Sequence, residues 1–271
     1  MTTVTATPAG PRTRSGSARL TGFIGWDFLR TVRMFSATFF IVFLPLGMYL
    51  IFGATSGLSD EPLGSGNGSA FVMTSMAVYG AITAMTAVSG SAAVERQQGW
   101  GRQLGLTALS NGMYMAGKTA VGLLMSVTPV IAVFAVGALT GAEFDAGWTW
   151  PATGALVLLG SLPFALYGLA SALLFRSEAA VSVASGLLVL LAFFGNLFMP
   201  LQGTMLEIAR FTPVYGATTL ARWPQMEGHS IPMGAEVPAP DSLAAVIMNV
   251  VVWTVVFAAI CWLAARRRTA R

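Results

Sequence analysis

The sequence of 271 residues holds one cysteine, one histidine, 15 Lys or Arg and 11 Asp or Glu, so only 10% of it is charged. Each shortage excludes something. A lone Cys261 can form no intrachain disulfide and leaves no cysteine cluster for a metal. With His229 alone in a Pro- and Gly-rich stretch, no histidine–carboxylate pair is available for acid–base work, and none of the many serines and threonines has a candidate base nearby in sequence. The reading is a chain that is not an enzyme and holds no metal or cofactor of its own. A soluble domain carries about 25% charged residues, so the low charge excludes that class. The few Lys and Arg are scattered, without the basic and aromatic platform that nucleic-acid binding needs.

What fills the chain instead is apolar: 55% of residues are hydrophobic and the mean hydropathy is +0.71. Six runs, at 36–53, 70–94, 120–140, 152–175, 179–199 and 243–264, are each close to the roughly 20 residues that a helix needs to cross a bilayer. None of the six contains Asp, Glu, His, Lys or Arg. Ion-coupled carriers usually keep ionisable residues in their spans, so the energy for any transport is expected from outside this chain. The fold class is therefore an all-α membrane protein with six transmembrane helices. Pro45, Pro129 and Pro163 fall inside runs, where neighbouring helices can satisfy the freed carbonyls. Asn196 and Asn249 are the strongest polar groups in the runs and are expected to make interhelical hydrogen bonds more often than substrate contacts. Thr74, Thr83, Thr86 and Ser89, with Gly80 and Gly90, allow close helix approach in the second run.

The ends and loops complete the layout. Residues 1–19 are rich in Thr, Ser, Pro, Gly and Arg and read as a disordered cytoplasmic tail. Residues 20–266 form the transmembrane domain, and 267–271 a basic tail. Within 20–35, Leu20, Phe23, Ile24, Phe28, Leu29 and Val32 lie roughly on one side, broken by Asp27, Arg30 and Arg33. That pattern fits an interfacial amphipathic helix or an extension of the first span. Thirteen of the basic residues, Arg102, Lys118 and Arg176 among them, fall on the side of the two termini; Arg210 and Arg222 fall on the other. The positive-inside rule then puts both termini in the cytoplasm of a multi-pass protein of the cell membrane. Residues 201–222 are too apolar for a free loop, and Pro213 divides them into two short helices that pack on or dip into the outer leaflet.

Two stretches carry motifs. Residues 112–119 match the phosphate-loop pattern letter for letter, but a phosphate cradle needs a strand before it and a soluble nucleotide fold around it. The plain reading is a Gly-Lys at the start of the third span, with Lys118 snorkelling to the headgroups. The second stretch, residues 95–110, lies between the second and third spans. As a helix it lines up Trp100, Leu104 and Ala108 beside a polar face with Glu95, Arg96 and Arg102. Gly99, Gly101 and Gly105 make it a poor free helix, so something outside it should help to hold it.

That stretch resembles the cytoplasmic connection of ABC-2 type transporter permeases. Glu95-Arg96, Gly99, Leu104 and Thr107-Ala108-Leu109-Ser110 carry the resemblance, with Trp100 where the family usually has a small residue or threonine and Ala108 where it usually has proline. Residues 195–200 and 211–215 also resemble that family, in which re-entrant outer helices join the fifth and sixth spans. The resemblance implies the membrane subunit of an ABC exporter. It assigns Glu95, Arg96, Gly99, Trp100, Arg102, Leu104 and Leu109 to coupling with a separate ATPase, present in two copies, which binds ATP and magnesium. It also implies a second permease subunit, the same chain or another, and a small amphipathic or hydrophobic substrate such as a drug, an antibiotic or a lipid. Phe193, Phe194, Asn196, Phe198 and Met199, with Thr83 and Thr86, are the candidate substrate path or gate; packing in the core or against lipid is the plainer reading of the aromatic cluster. A glycan or cation cargo remains open, as does a membrane anchor or immunity protein that transports nothing.

Overall fold

A computed structural model describes residues 16–57, 59–95, 111–175, 179–231 and 238–269. They form ten α-helices in chain order: α1 (Gly16–Arg33), α2 (Phe35–Tyr49), α3 (Gly68–Glu95), α4 (Asn111–Leu139), α5 (Thr149–Ser161), α6 (Pro163–Phe175), α7 (Ala179–Phe194), α8 (Gly203–Ala209), α9 (Pro213–Met226) and α10 (Leu243–Thr269). A π-helical turn, Leu50–Ala54, extends α2. The only β pairing among the described residues is two isolated bridges, Pro62 with Asn67 and Gly66 with Phe144. The all-α expectation therefore holds. Four stretches are long and apolar enough to cross a membrane: Gly68–Ala92, Met113–Leu139, Thr149–Leu174 (α5 and α6 together) and Leu243–Ala264. A fifth is reached if α1 and α2, which meet at a 64° bend, count as one broken span. The run at 179–199 yields the shorter helix α7, which ends at Phe194.

Local chemistry sets the boundaries. Asn67 starts α3, its Oδ1 accepting from the Ala70 N–H at 2.9 Å, as an N-cap residue does. Pro163 opens α6 and separates it from α5 in the fourth run. Thr212 caps α9, accepting from the Tyr215 N–H at 3.2 Å, with Pro213 in the first turn, where its missing N–H costs nothing. The two helices expected in 201–222 are thus present, and α9 runs on to Met226. α1 begins at Gly16, so residues 16–19 are helical rather than part of a disordered tail; the remainder of that tail lies outside the described residues.

α3 is the central helix, 83% buried, and it touches α2, α4, α5, α6, α7 and α9. Met73, Ala77, Ile82 and Met85 of α3 lie in one core cluster with Val133, Phe164 and Leu188 from three other helices. Small residues let the backbones close up: the Cβ of any residue at Gly168 would collide with the Thr86 carbonyl. Ser126 of α4 donates to the Ala81 carbonyl at 2.9 Å. α10 is the opposite case, 11% buried, packed along one side of α6 and α9.

Candidate functional site

Two polar centres are buried at opposite ends of α3. At the α1 end, the stripe Leu20, Phe23, Ile24, Asp27, Phe28 and Thr31 of α1 turns inward, and Asp27 and Thr31 are buried within it. Asp27 is thus part of the packing face, not a break in it, while Leu29 and Val32 are exposed. Lys118, about two turns into α4, meets it: Nζ lies 2.9 Å from Asp27 Oδ2 and 2.8 Å from Glu95 Oε2. The Lys118 side chain is 3% exposed. This corrects the snorkelling expectation: two carboxylates from α1 and α3 hold the ammonium inside, where paired charge is far cheaper than a lone one. It also corrects the absence of ionisable residues from the spans, since Met113–Leu139 includes Lys118. Arg30 donates to Glu95 Oε1 at 2.7 Å, and the Tyr114 hydroxyl donates to Glu95 Oε2 at 3.0 Å. Phe23 packs on Tyr114 with ring centroids 5.6 Å apart.

Glu95 is the last residue of α3, and the partners above place it in the protein interior rather than on an outward face. Of the residues assigned to coupling, Arg96, Gly99, Trp100, Arg102, Leu104 and Leu109 lie outside the described residues. What the structure shows is their footing. Glu95 precedes that stretch, Tyr114 and Lys118 follow it, and hydrogen bonds and an ion pair fasten the two feet together. The phosphate-loop look-alike forms the first turns of α4. Its Gly117-Lys118-Thr119 end lies beyond the four free N–H groups of the helix start, so those N–H groups are used within the helix and do not form a loop.

At the α9 end, α7 stops at Phe194 and the chain turns at Asn196, whose φ is +58°. Asn196 Oδ1 accepts from the Leu201 N–H at 2.8 Å and fixes the turn into α8. Arg222 of α9 closes the same turn. It donates to the carbonyls of Asn196 at 2.9 Å and Leu197 at 3.1 Å, and to Ser75 Oγ of α3 at 2.6 Å. Its guanidinium stacks 3.8 Å from the centre of the Phe71 ring. Burial pulls the Arg222 pKa down to about 9, which leaves it cationic at neutral pH. Tyr215 donates to Asp241, which also pairs with Arg210 at 3.0 Å. Burial first, and then that hydrogen bond, push the Tyr215 hydroxyl up to about 12, so it stays a donor. Asn249 of α10 donates to the carbonyls of Arg210 and Thr212 at 2.7 and 3.2 Å, the interhelical role expected of it.

Two cavities are stacked along successive turns of α3, the first at its α9 end and the second farther along. The one nearer α9 measures about 490 Å³, and its wall includes Met48, Phe71, Met76, Phe193, Phe198 and Met199. The second, about 530 Å³, is lined by Phe40, Ile41, Tyr79, Thr83, Ser185 and Val189, among others. An aromatic partition stands between them. Phe198 packs on Tyr79 with centroids 5.0 Å apart and on Phe193 at 4.9 Å. Four of the seven path candidates therefore reach a cavity wall here: Phe193, Phe198, Met199 and Thr83. Phe194 is half exposed and lines neither cavity. Thr86 is fully buried where α3 meets α6. Asn196 shapes the turn beside the first cavity. Sequence reasoning missed Tyr79, Phe71 and Arg222; no local pattern marks them, because their roles arise from a partner on another helix.

No protein-family model matches the chain. It is similar to the Bacillus subtilis (strain 168) protein named "Putative transport permease YvfS", 29% identical over 135 residues, which is 47% of this chain and 55% of that protein. The chain thus spans about half the length of the curated relative it matches. Together with four to five helices of spanning length and hydropathy, this supports a multi-pass membrane protein similar, over about half its length, to a transport permease.

Proposed function

We propose that this chain is the membrane subunit of an ATP-driven exporter of the ABC-2 type, working with a separate ATPase that engages residues 95–110. The observation that carries the reading is the clamp at the foot of that segment. A surface loop needs no buried Lys118 bridging α1, α3 and α4. A segment that must pass on force does, because a push on a loop with loose feet is dissipated locally. In this reading the ATPase holds ATP and magnesium, two copies engage two permease subunits, and both termini face the cytoplasm. Six spans arise if α2 and α7 each cross the bilayer, and α8 and α9 dip into the outer leaflet as a re-entrant pair. The apolar cavities fit a drug, an antibiotic or a lipid as cargo, and the Tyr79–Phe198–Phe193 partition serves as the gate between them.

Uptake into inside-out vesicles tests this. With the cognate ATPase, accumulation should require hydrolysable ATP, fail with a non-hydrolysable analogue and survive a protonophore. Leu104→Asp should abolish it while the subunit stays folded in the membrane. Transport that persists without the ATPase and stops with the protonophore overturns the reading; no transport of any amphiphile under these conditions leaves a membrane anchor as the better account.

A further inference from the structure

Arg222 is the one buried cation among the described residues whose hydrogen-bond acceptors carry no formal charge. It is 5% exposed, and its partners are two backbone carbonyls and a hydroxyl. Its Nε–H has no hydrogen-bond partner among the described residues. Burying a cation without a counter-charge is costly, and it leaves the site receptive to an anion. Arg222 also lines a polar notch with Asn196, Thr219, His229 and Ser230. The notch measures about 10 Å³, the room of one water-sized atom. Phe71, Pro200 and Ile231 line both this notch and the apolar cavity of about 490 Å³, so the two adjoin.

We propose that this paired chamber binds a single-chain amphipathic anion, with its apolar body in the larger cavity and one anionic oxygen in the notch against Arg222. An apolar chamber with a few converging polar groups is how small-ligand sites are generally built. Glu61 is the one carboxylate on the wall of the larger cavity, and it is exposed, so its charge can turn to water. The inference does not depend on export or on an ATPase. A failed transport assay leaves it standing, and a failed binding assay leaves the transport reading standing.

The test uses the purified full chain in nanodiscs of zwitterionic lipid, with cis-parinaric acid as fluorescent probe and empty nanodiscs as the blank. Dodecanoate, dodecanol and dodecyltrimethylammonium compete for the probe. Dodecanoate should displace it at concentrations about tenfold below the other two, as a charge-assisted hydrogen bond warrants. Arg222→Gln should erase that preference. Val72→Trp, which narrows the larger cavity and leaves Arg222 in place, should weaken all three. Lysophosphatidylglycerol distinguishes the sources: stronger competition than dodecanoate marks a membrane lipid as the ligand, weaker a free acid. Equal displacement by the three head groups in the unmodified chain, or a preference that survives Arg222→Gln, overturns the proposal. If Arg222→Gln fails to fold, the head-group series on the unmodified chain decides alone.

Discussion

The two ends of α3 each bury a cation and treat it differently. Lys118 is enclosed by two carboxylates, and one of them is shared with Arg30. Arg222 is enclosed by carbonyl oxygens and a hydroxyl. A compensated charge has its partners in place and gains little from anything that arrives later. An uncompensated one retains attraction to spare. The first arrangement suits a fixed joint, the second a site whose occupancy changes.

Substitution can break that contrast. The largest effect is expected for Lys118→Met, which strands Asp27 as a buried carboxylate and leaves Glu95 to Arg30 and Tyr114. Losing one member of a buried ion pair costs about 3–5 kcal/mol. Thermal unfolding of the purified chain should show the loss, and Asp27→Asn in the same background should restore part of it. No recovery would mean that the two side chains are not a unit. Arg222→Met strands only neutral acceptors and removes a cation that is itself costly to bury, so a smaller loss is expected. Should it prove as damaging as Lys118→Met, the contrast between the ends fails.

A finer measure comes from Gly117, beside the clamp. A Cβ there would stand 2.6 Å from the Phe23 ring, so Gly117→Ala must displace that ring and disturb the packing of α1. Overpacking of this kind costs about 1–3 kcal/mol. Proteolysis at α1 should accelerate in this variant while the α9 end keeps its protection; acceleration at both ends would show that the ends are not independent. The smallest effect belongs to Arg30→Ala. The Arg30 side chain is 46% exposed, and pairs of that kind contribute about 0–1 kcal/mol. A large loss there would place Arg30, and not Lys118, at the centre of the cluster.

Much of this was legible in the sequence, and the limits were physical. Long apolar runs marked the helices, because spanning a bilayer demands both length and composition. Pro213 announced the start of α9, since proline suits a first turn. The clamp was missed at Lys118, whose position beside an apolar run looks like the edge of a span. Its partners lie 91 residues away at Asp27 and 23 away at Glu95, and no local pattern records such a pairing. One signal was available. Asp27 falls at the i+3/i+4 spacing of Leu20, Phe23, Ile24, Phe28 and Thr31, and an acid inside an apolar stripe asks for a buried partner. Arg222 offered no such clue, because its burial depends on the reversal of the chain at Asn196. The path candidates differ by their neighbours: Phe198 packs on Tyr79, while Phe194 is half exposed and lines neither cavity.

The unequal burial of α3 and α10 has a consequence for how the chain is made. α3 has a mean hydropathy of 1.6 and is 83% enclosed by other helices, whereas α10 reaches 2.5 and is 11% enclosed. A segment leaving the ribosome is sorted into lipid by its own apolarity, before its neighbours exist. α10 can make that passage unaided. α3 carries the polar side chains that its later neighbours will cover, and it emerges while most of them are still unsynthesised. Its insertion is therefore expected to lean more on α4 and α6 than that of α10 leans on any neighbour, and the interval before residue 175 is made is where that dependence would be felt.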